Sequence, residues 1–431
     1  MSPDASIAVL CVTFLAGLIA VTRRDALLGG FYFFLFVYII FALVGYAYFP
    51  LLSQVLGLYF GPGILPTVTW FCTGSFAAVA VCILFFHKHL VRPGWIGVQY
   101  AASPRASYAF LALASLFLII MLLLFIRDYD EIDYAKVPQM PSDLFAIGFK
   151  QINIVALTLW AVIRNHAYNR SHRVMAAALF GASMLLFFAI AAKAGNRTDI
   201  VAFGMGVGTF ELWPMLTSRS GGLAFSRTQN RQGLLAVTRT VLVGLVALVA
   251  IQVNFALRGG AAQLEGVPAY VAVLYNDYFT PAHMLFGSIA LDWVRPIEVL
   301  QSTLANGFFL GRTLDVPYLQ SNIGNVLVPG SSGRSFSFAY YVFSEGYMVA
   351  GFPGFLYNGL VVGGGLLAWR NLSVTADRRA NIFWAAFSAM FFANIARSQS
   401  VMMLRYLFFF GVPALICFSL ATGARWKRTE S

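Results

Sequence analysis

Charged residues are scarce in this sequence: Asp, Glu, Lys and Arg make up 11% of its 431 residues, against roughly a quarter in soluble domains. Hydrophobic residues make up 59%, which excludes an ordinary soluble enzyme and predicts an all-α polytopic membrane protein. The few charges are mostly basic, with a net charge of +12. Basic inner loops explain such a surplus in a membrane protein, so it does not indicate nucleic acid as a partner.

Metal-binding and nucleotide-binding patterns are also missing. The four cysteines lie within apolar runs, which argues against disulfides and zinc and favours small buried side chains. Four of the five histidines fall among basic residues without an acid or thiol nearby in the sequence, which is typical of a surface rather than a metal site. No G-x-x-x-x-G-K-[ST] loop occurs, so ATP is not indicated as an energy source. We therefore expect neither a metal nor a cofactor.

Apolar runs long enough to cross a bilayer recur along the whole chain. The eleven candidates are 5–22, 26–49, 64–86, 107–126, 144–163, 174–192, 198–217, 236–257, 339–369, 380–396 and 401–421. Most of the 29 Lys and Arg residues fall in the connections after every second run, whereas the intervening connections are neutral or acidic. This alternation predicts that the basic connections and the C-terminus lie inside.

Three segments follow from this pattern. Residues 1–257 form a transmembrane bundle of about eight spans, and residues 339–431 form about three spans and a cytoplasmic tail. Between them, residues 258–338 form a large loop on the outer side. Aromatic residues with polar neighbours run through this loop, so we expect parts of it to be interfacial helices.

One acidic residue, Glu345, lies about a helical turn inside the start of the apolar run that leads to Trp369. An ionisable group at that depth is costly in lipid, so it should face a polar cavity or a cationic partner. Gly346, Gly351 and Pro353 follow it and are expected to break or kink the helix. The residues leave two roles open for Glu345: a general base, or a buried partner that orients an arginine.

Several residues, most of them basic, lie on the outer side, although basic residues in membrane proteins are concentrated on the inner side. Arginine suits this position if phosphate is the ligand, because its planar guanidinium binds two oxygens at once and stays charged. A cluster of arginines at the outer leaflet would fit a lipid diphosphate; the alternative is snorkelling to headgroups or pairing with nearby acids. The residues concerned are Lys193 and Asn196 beside Arg197, then Arg258, Arg334, Arg397 and Arg405.

Two acidic features have simpler interpretations. Asp128 and Asp130 form a D-x-D, which holds a divalent metal in some glycosyltransferases, but we favour a solvated outer loop that is rich in acids. Glu211, near the inner end of its run beside Trp213 and Pro214, is interpreted as interfacial. His283, in the outer loop, could carry a proton, but we favour a surface histidine without a role in the reaction.

Short motifs in the second half of the chain resemble the O-antigen polymerase family, which polymerises lipid-linked polysaccharide repeat units. They are Ala194-Gly-Asn-Arg197-Thr at a span junction, Phe255-Ala-Leu-Arg258-Gly-Gly at the start of the long loop, and the stretch from Ser337 through Glu345 to Gly354. The resemblance covers mostly residues 190–410. It implies a glycosyltransferase C-like fold in the bacterial inner membrane, with the active side facing the periplasm.

The resemblance also implies a reaction and a set of residues. A growing glycan would move from undecaprenyl diphosphate onto the next lipid-linked repeat, with membrane lipid and a chain-length regulator as further partners. The implied catalytic residues are Glu345, Arg258 and Arg197, and the implied substrate-binding residues are Arg397, Arg405, Arg334, Lys193, Asn196 and Tyr341. The alternatives are an O-antigen ligase, for which His283 is present, and a transporter or flippase of lipid-linked sugars.

Overall fold

A computed structural model describes most of the chain. The described residues are 3–48, 62–91, 98–99, 103–129, 143–165, 169–194, 197–217, 235–242, 245, 282, 284–307, 341–374, 377–396, 400–423 and 425–426. They are helical almost throughout, which confirms the all-α prediction. A two-residue antiparallel pair, Val98–Gln99 with Arg425–Trp426, is the strand structure in the described part.

The helices follow the apolar runs closely and are numbered here in chain order. They are α1 (Pro3–Arg24), α2 (Ala26–Tyr48), α3 (Leu65–Leu90), α4 (Pro104–Arg127), α5 (Asp143–Arg164), α6 (Arg170–Ala194), α7 (Arg197–Thr217), α8 (Pro296–Gly307), α9 (Ser344–Ala350), α10 (Phe355–Ser373), α11 (Arg378–Ala396), α12 (Val401–Tyr406) and α13 (Val412–Thr422). Residues 235–242 and 284–290 are also helical. Short 3-10 turns occur at Pro62–Ile64 and Phe352–Gly354, and a π-helical turn at Leu407–Gly411 joins α12 to α13.

Several helices are long and apolar enough to cross a membrane, so the chain is a membrane protein. Among the described residues six qualify: Asp4–Arg24, Ala26–Tyr48, Leu65–Leu90, Pro104–Arg127, Arg170–Ala191 and Phe352–Asn371. The surface of helix α4 exposes Leu113, Leu116 and Ile119, so it is poorly suited to contact with water. A contiguous apolar surface of this kind needs lipid or a partner to cover it.

Two of the predicted runs are interrupted. The run 339–369 is divided at Gly351, where φ is +64°, into α9 and α10. The run 401–421 is divided by the π-helical turn at Leu407–Gly411. Hydropathy does not detect either interruption, since the residues at both breaks are apolar.

The chain forms two compact units, each built from separate stretches. The first unit contains Met1–Val91, Ala261–Arg370 and Phe392–Tyr406. Its core is aromatic: the ring of Phe76 packs edge-on against Tyr32 at 5.3 Å and against Phe343 at 5.1 Å. The hydroxyl of Tyr32 donates to the carbonyl of Phe76 at 3.0 Å, which satisfies a polar group that would be costly to bury alone.

A buried ion pair ties three helix ends of the first unit together. Asp25 lies between α1 and α2 and accepts the backbone N–H of Leu27 at 2.9 Å, which caps the start of α2. Its other carboxylate oxygen accepts a hydrogen bond from Arg370, at the end of α10, and lies 3.6 Å from the ring of His87. Burial raises the pKa of Asp25, but His87 and the Arg370 charge and hydrogen bond outweigh it and lower that pKa below its ordinary value.

The second unit contains Arg92–Gly260, Asn371–Phe391 and Leu407–Ser431. Its core lies where α4, α5, α6 and α13 pack together, with Leu111, Leu159 and Ala421 fully buried. Close packing depends on Gly206, because a side chain there would come within 2.4 Å of Met390. The packing places Glu211 inside the unit with 5% exposure.

Candidate functional site

The Glu345 helix, α9, lies alongside the start of α10 because two glycines allow their backbones to meet. A side chain on Gly354 would lie 1.8 Å from the carbonyl oxygen of Gly346. The reversal itself occurs at Gly351, whose positive φ favours glycine, and Pro353 follows in the 3-10 turn. The glycine and proline pattern around Glu345 therefore marks a break, as the sequence predicts.

The carboxylate of Glu345 has no surface exposure and receives three hydrogen bonds. Its Oε1 atom accepts the hydroxyl of Tyr357 at 2.7 Å and the hydroxyl of Ser400 at 2.8 Å. Its Oε2 atom accepts the backbone N–H of Ser400 at 2.8 Å. Hydrogen bonds to an ionised acceptor are short and strong, so this carboxylate is held in one orientation. We call Glu345, Tyr357 and Ser400 the carboxylate cluster.

A second set of hydrogen bonds, made by Asn358, fixes the helices that carry the carboxylate cluster. Asn358, next to Tyr357 on α10, donates to the hydroxyl of Ser75 and to the carbonyl of Phe343, each at 3.0 Å. These bonds join α3, α9 and α10 in the buried interior. Because both the Glu345 helix and its neighbour are fixed to the same asparagine, the carboxylate has little freedom to move.

Part of the predicted outer loop packs against α9. The hydroxyl of Tyr347 donates to Asp292 at 3.0 Å, and the N–H of Arg295 donates to the carbonyl of Met348 at 2.7 Å. Helix α8 follows and packs against both α9 and α12. This segment of the loop is therefore helical, in agreement with the expectation of helices there.

The predicted arginines are only partly within the described structure. Arg405 lies on α12, little more than one helical turn after Ser400, with a partly exposed side chain. Arg197 begins α7 and Lys193 is the last residue but one of α6, but their side chains lie outside the described residues. The remaining predicted residues Asn196, Arg258, Arg334 and Arg397 lie outside the described residues, as do His283 and Asp130.

Tyr341, predicted to bind substrate, is fully buried. Its hydroxyl donates to the carbonyl of Leu35 at 2.9 Å, and its ring packs against Phe343 at 5.2 Å. In the described structure Tyr341 therefore anchors the chain immediately before α9 to α2. Asp128, from the D-x-D, accepts a hydrogen bond from the Nη2 atom of its neighbour Arg127 at 2.9 Å.

Sequence reasoning missed Tyr357, Asn358 and Ser400. The available signal was a Tyr-Asn pair inside an apolar run, because polar side chains in a span usually face another polar group. Ser400 gave a weaker signal, since serine is common in turns. Within the described ranges, no group of three or more His, Cys, Asp or Glu residues could hold a metal ion.

Comparison with known proteins adds no relative. No family model, no curated protein and no solved structure matches the chain.

Proposed function

We propose that the chain is a glycosyltransferase that polymerises undecaprenyl-diphosphate-linked oligosaccharides into O-antigen or a similar surface polysaccharide, at the periplasmic face of the bacterial inner membrane. One observation carries the proposal. A carboxylate without surface exposure is fixed by three hydrogen bonds beside a glycine-proline break, inside the segment that resembles the O-antigen polymerases. Buried charges are costly in membranes and mark functional sites.

The proposed arrangement in the membrane has more spans than the six helices that qualify above. The proposal includes about eleven spans, because the basic connections alternate consistently over that many apolar runs. It places Glu345, Arg258 and Arg397 on the periplasmic side and gives the fold a glycosyltransferase C-like character. A cysteine-accessibility map that found residues 87–106 on the periplasmic side would contradict this topology.

The reaction needs little covalent help from the protein. The hydroxyl oxygen of the acceptor sugar forms a bond to the anomeric carbon of the donor glycan, while the bond from that carbon to the diphosphate oxygen breaks. The lipid diphosphate leaves with the electron pair, and the hydroxyl proton passes to a base. Arginine side chains stabilise the departing negative charge, which is the role proposed for Arg197, Arg258 and Arg397.

The contacts of Glu345 favour a positioning role over that of the base. Both carboxylate oxygens already accept hydrogen bonds from Tyr357 or Ser400, and the group is closed to solvent. Ser400 begins the segment that carries Arg405 and directly follows Arg397 and its neighbours in the chain. Glu345 thus holds the residue from which the proposed diphosphate-binding segment extends. The base would then be another group, including one on the substrate.

The proposal is tested by deleting the gene and examining the surface polysaccharide on a gel. Loss of the ladder, with a single repeat unit left on the lipid core, is the expected result. Wild type should restore the ladder, whereas Arg258→Ala should not. Arg258→Lys should restore only short chains, because lysine keeps the charge but loses the two-pronged contact with phosphate.

Other outcomes of this experiment point elsewhere. A core without any repeat unit would indicate a ligase, and an unchanged ladder would contradict the proposal. Purified protein supplied with lipid-linked repeat units should form polymer in detergent or vesicles. Movement of these lipids across a bilayer without polymer formation would make the chain a transporter.

A further inference from the structure

A cavity of about 220 Å³ lies within the second unit, and its lining includes none of the residues that the proposed reaction uses. The ends of α5 and α7, the start of α11 and the end of α13 surround it. Arg164, Glu211 and Arg379 supply its charged wall, and Phe383 and Phe418 supply an apolar wall. The lining of the cavity thus combines charged and apolar side chains.

The charged wall carries an excess of positive charge. Glu211 forms ion pairs with Arg164 Nε at 2.8 Å and with Arg239 Nη1 at 3.1 Å. It also accepts a hydrogen bond from Trp160 Nε1 at 3.1 Å. One carboxylate therefore lies between two guanidinium groups, and Arg379 adds a third cation at the rim. Since each guanidinium has five N–H donors, one carboxylate leaves donors on Arg164 and Arg239 for another acceptor.

The charged groups are reachable from outside. The side chains of Arg164 and Arg239 are 34% and 32% exposed, whereas that of Glu211 is only 2% exposed. The buried acid thus holds two partly exposed arginine side chains in place. A preorganised pair of this kind suits phosphate, which accepts bidentate hydrogen bonds from arginine.

The apolar wall suits a lipid rather than a free anion. The rings of Phe383 and Phe418 stack at 4.5 Å, and Ile382 continues the surface. At about 220 Å³ the cavity is smaller than the roughly 300–1,000 Å³ that encloses a drug-sized ligand. It therefore fits a headgroup with part of its glycerol, while acyl chains stay in the bilayer.

The charge pattern predicts the side of the membrane on which the cavity opens. Arg164, Arg239 and Arg379 all belong to the basic connections expected inside. The connection 218–234 has three further arginines and no acid. Basic pockets between membrane helices on the cytoplasmic side bind the headgroups of anionic lipids.

We propose that this cavity binds the phosphate of an anionic phospholipid from the inner leaflet. Arg164 and Arg379 contact the phosphate, and Phe383 and Phe418 contact the glycerol and the first methylenes. Arg239 does not line the cavity and acts through Glu211, which it helps to hold in place. The site does not depend on the polymerase proposal, because no residue of the carboxylate cluster takes part.

Native mass spectrometry of the full chain in detergent tests the site, with phosphatidylglycerol as the probe and phosphatidylcholine as the neutral comparison. We expect wild type to retain one phosphatidylglycerol molecule in preference to phosphatidylcholine. Arg379→Gln should weaken that retention roughly tenfold, the size of one lost charge-assisted hydrogen bond. Arg378→Gln is the matched control, because this neighbouring residue is also exposed but does not line the cavity.

Three results would overturn the proposal. They are equal retention of the two lipids, equal losses in the two glutamine variants, and full displacement of phosphatidylglycerol by millimolar inorganic phosphate, which would make the site one for soluble anions. A measurement without variants is also available: retention by wild type should fall as NaCl rises, since the attraction is partly screened. Retention that did not change with salt would contradict a phosphate contact.

Discussion

The backbone N–H and the hydroxyl of Ser400 both donate to the carboxylate of Glu345, each at 2.8 Å, although 55 residues separate them in the sequence. The pair joins α9 to the first residue before α12. A serine that donates twice to one carboxylate fixes both its own backbone and the acid. Glu345 therefore fixes the position at which α12, the helix that carries Arg405, begins.

Ser400→Ala should lower the stability of the chain by about 1.5–3 kcal/mol, because a hydrogen bond to a buried charged acceptor is lost. The measurement is the thermal unfolding midpoint in detergent. Ser419→Ala is the control, since within the described part of the chain the buried Ser419 hydroxyl has no hydrogen-bond partner. Equal shifts in the two variants would show that the Ser400 hydroxyl contributes nothing specific.

The same variant separates positioning from base catalysis by Glu345. If Glu345 only positions the segment after Ser400, Ser400→Ala lowers the polymerisation rate and leaves its pH profile unchanged. Glu345→Gln should then behave in the same way, with a lower rate and the wild-type pH profile. Disappearance of the acidic limb of the profile in Glu345→Gln would instead identify the carboxylate as the base.

Tyr357→Phe should destabilise the chain by about 1–3 kcal/mol, because it removes the shortest of the three hydrogen bonds to Glu345 and leaves that acceptor under-satisfied. Unfolding midpoints of the purified variants measure the effect. Tyr108→Phe serves as the comparison, because Tyr108 is 49% exposed, whereas the hydroxyl of Tyr357 binds a buried carboxylate. A smaller loss for Tyr357→Phe than for Tyr108→Phe would contradict the carboxylate cluster.

Gly354→Ala should prevent α9 from packing against α10. The new side chain would lie 1.8 Å from the carbonyl oxygen of Gly346, and backbone cannot yield as a side chain can. We expect a loss of at least about 3 kcal/mol, seen as aggregation in size-exclusion chromatography or a much lower unfolding midpoint. Gly364→Ala, in the α10 helix that follows, meets nothing within 4 Å and should be neutral or stabilising by up to about 1 kcal/mol.

Asp25→Asn should cost about 3–5 kcal/mol, because it removes the carboxylate charge that pairs with the buried Arg370. The pKa of Asp25 is lowered in the folded state, so its contribution is complete above the unfolded value of 3.8 and is lost as the pH falls through the folded pKa. Unfolding midpoints measured from pH 6 downward should therefore decline below about pH 4 more steeply in wild type than in the Asn variant. Parallel curves would contradict this account.

Much of the local structure was predictable from composition and backbone sterics. The scarcity of charge predicts a membrane protein, and Gly351 and Pro353 predict the break after Glu345, because both effects act through neighbouring residues alone. The depth of Glu345 in an apolar run likewise predicts a polar partner. The division at Leu407–Gly411 was not predictable, since a π-helical turn has no clear composition.

The sequence by itself determined that this chain is helical, resides in a membrane and buries an acid beside a backbone break, because hydropathy and glycine act locally. Only the tertiary structure decided which groups meet: Tyr357 and Ser400 at Glu345, Arg164 and Arg239 at Glu211. The physical reason is that membrane helices are apolar all round, as α2 is. The periodicity of the hydrophobic residues then does not specify which face of a helix turns inward. Polar side chains that are distant in the sequence are therefore brought together only by the packing of the helices.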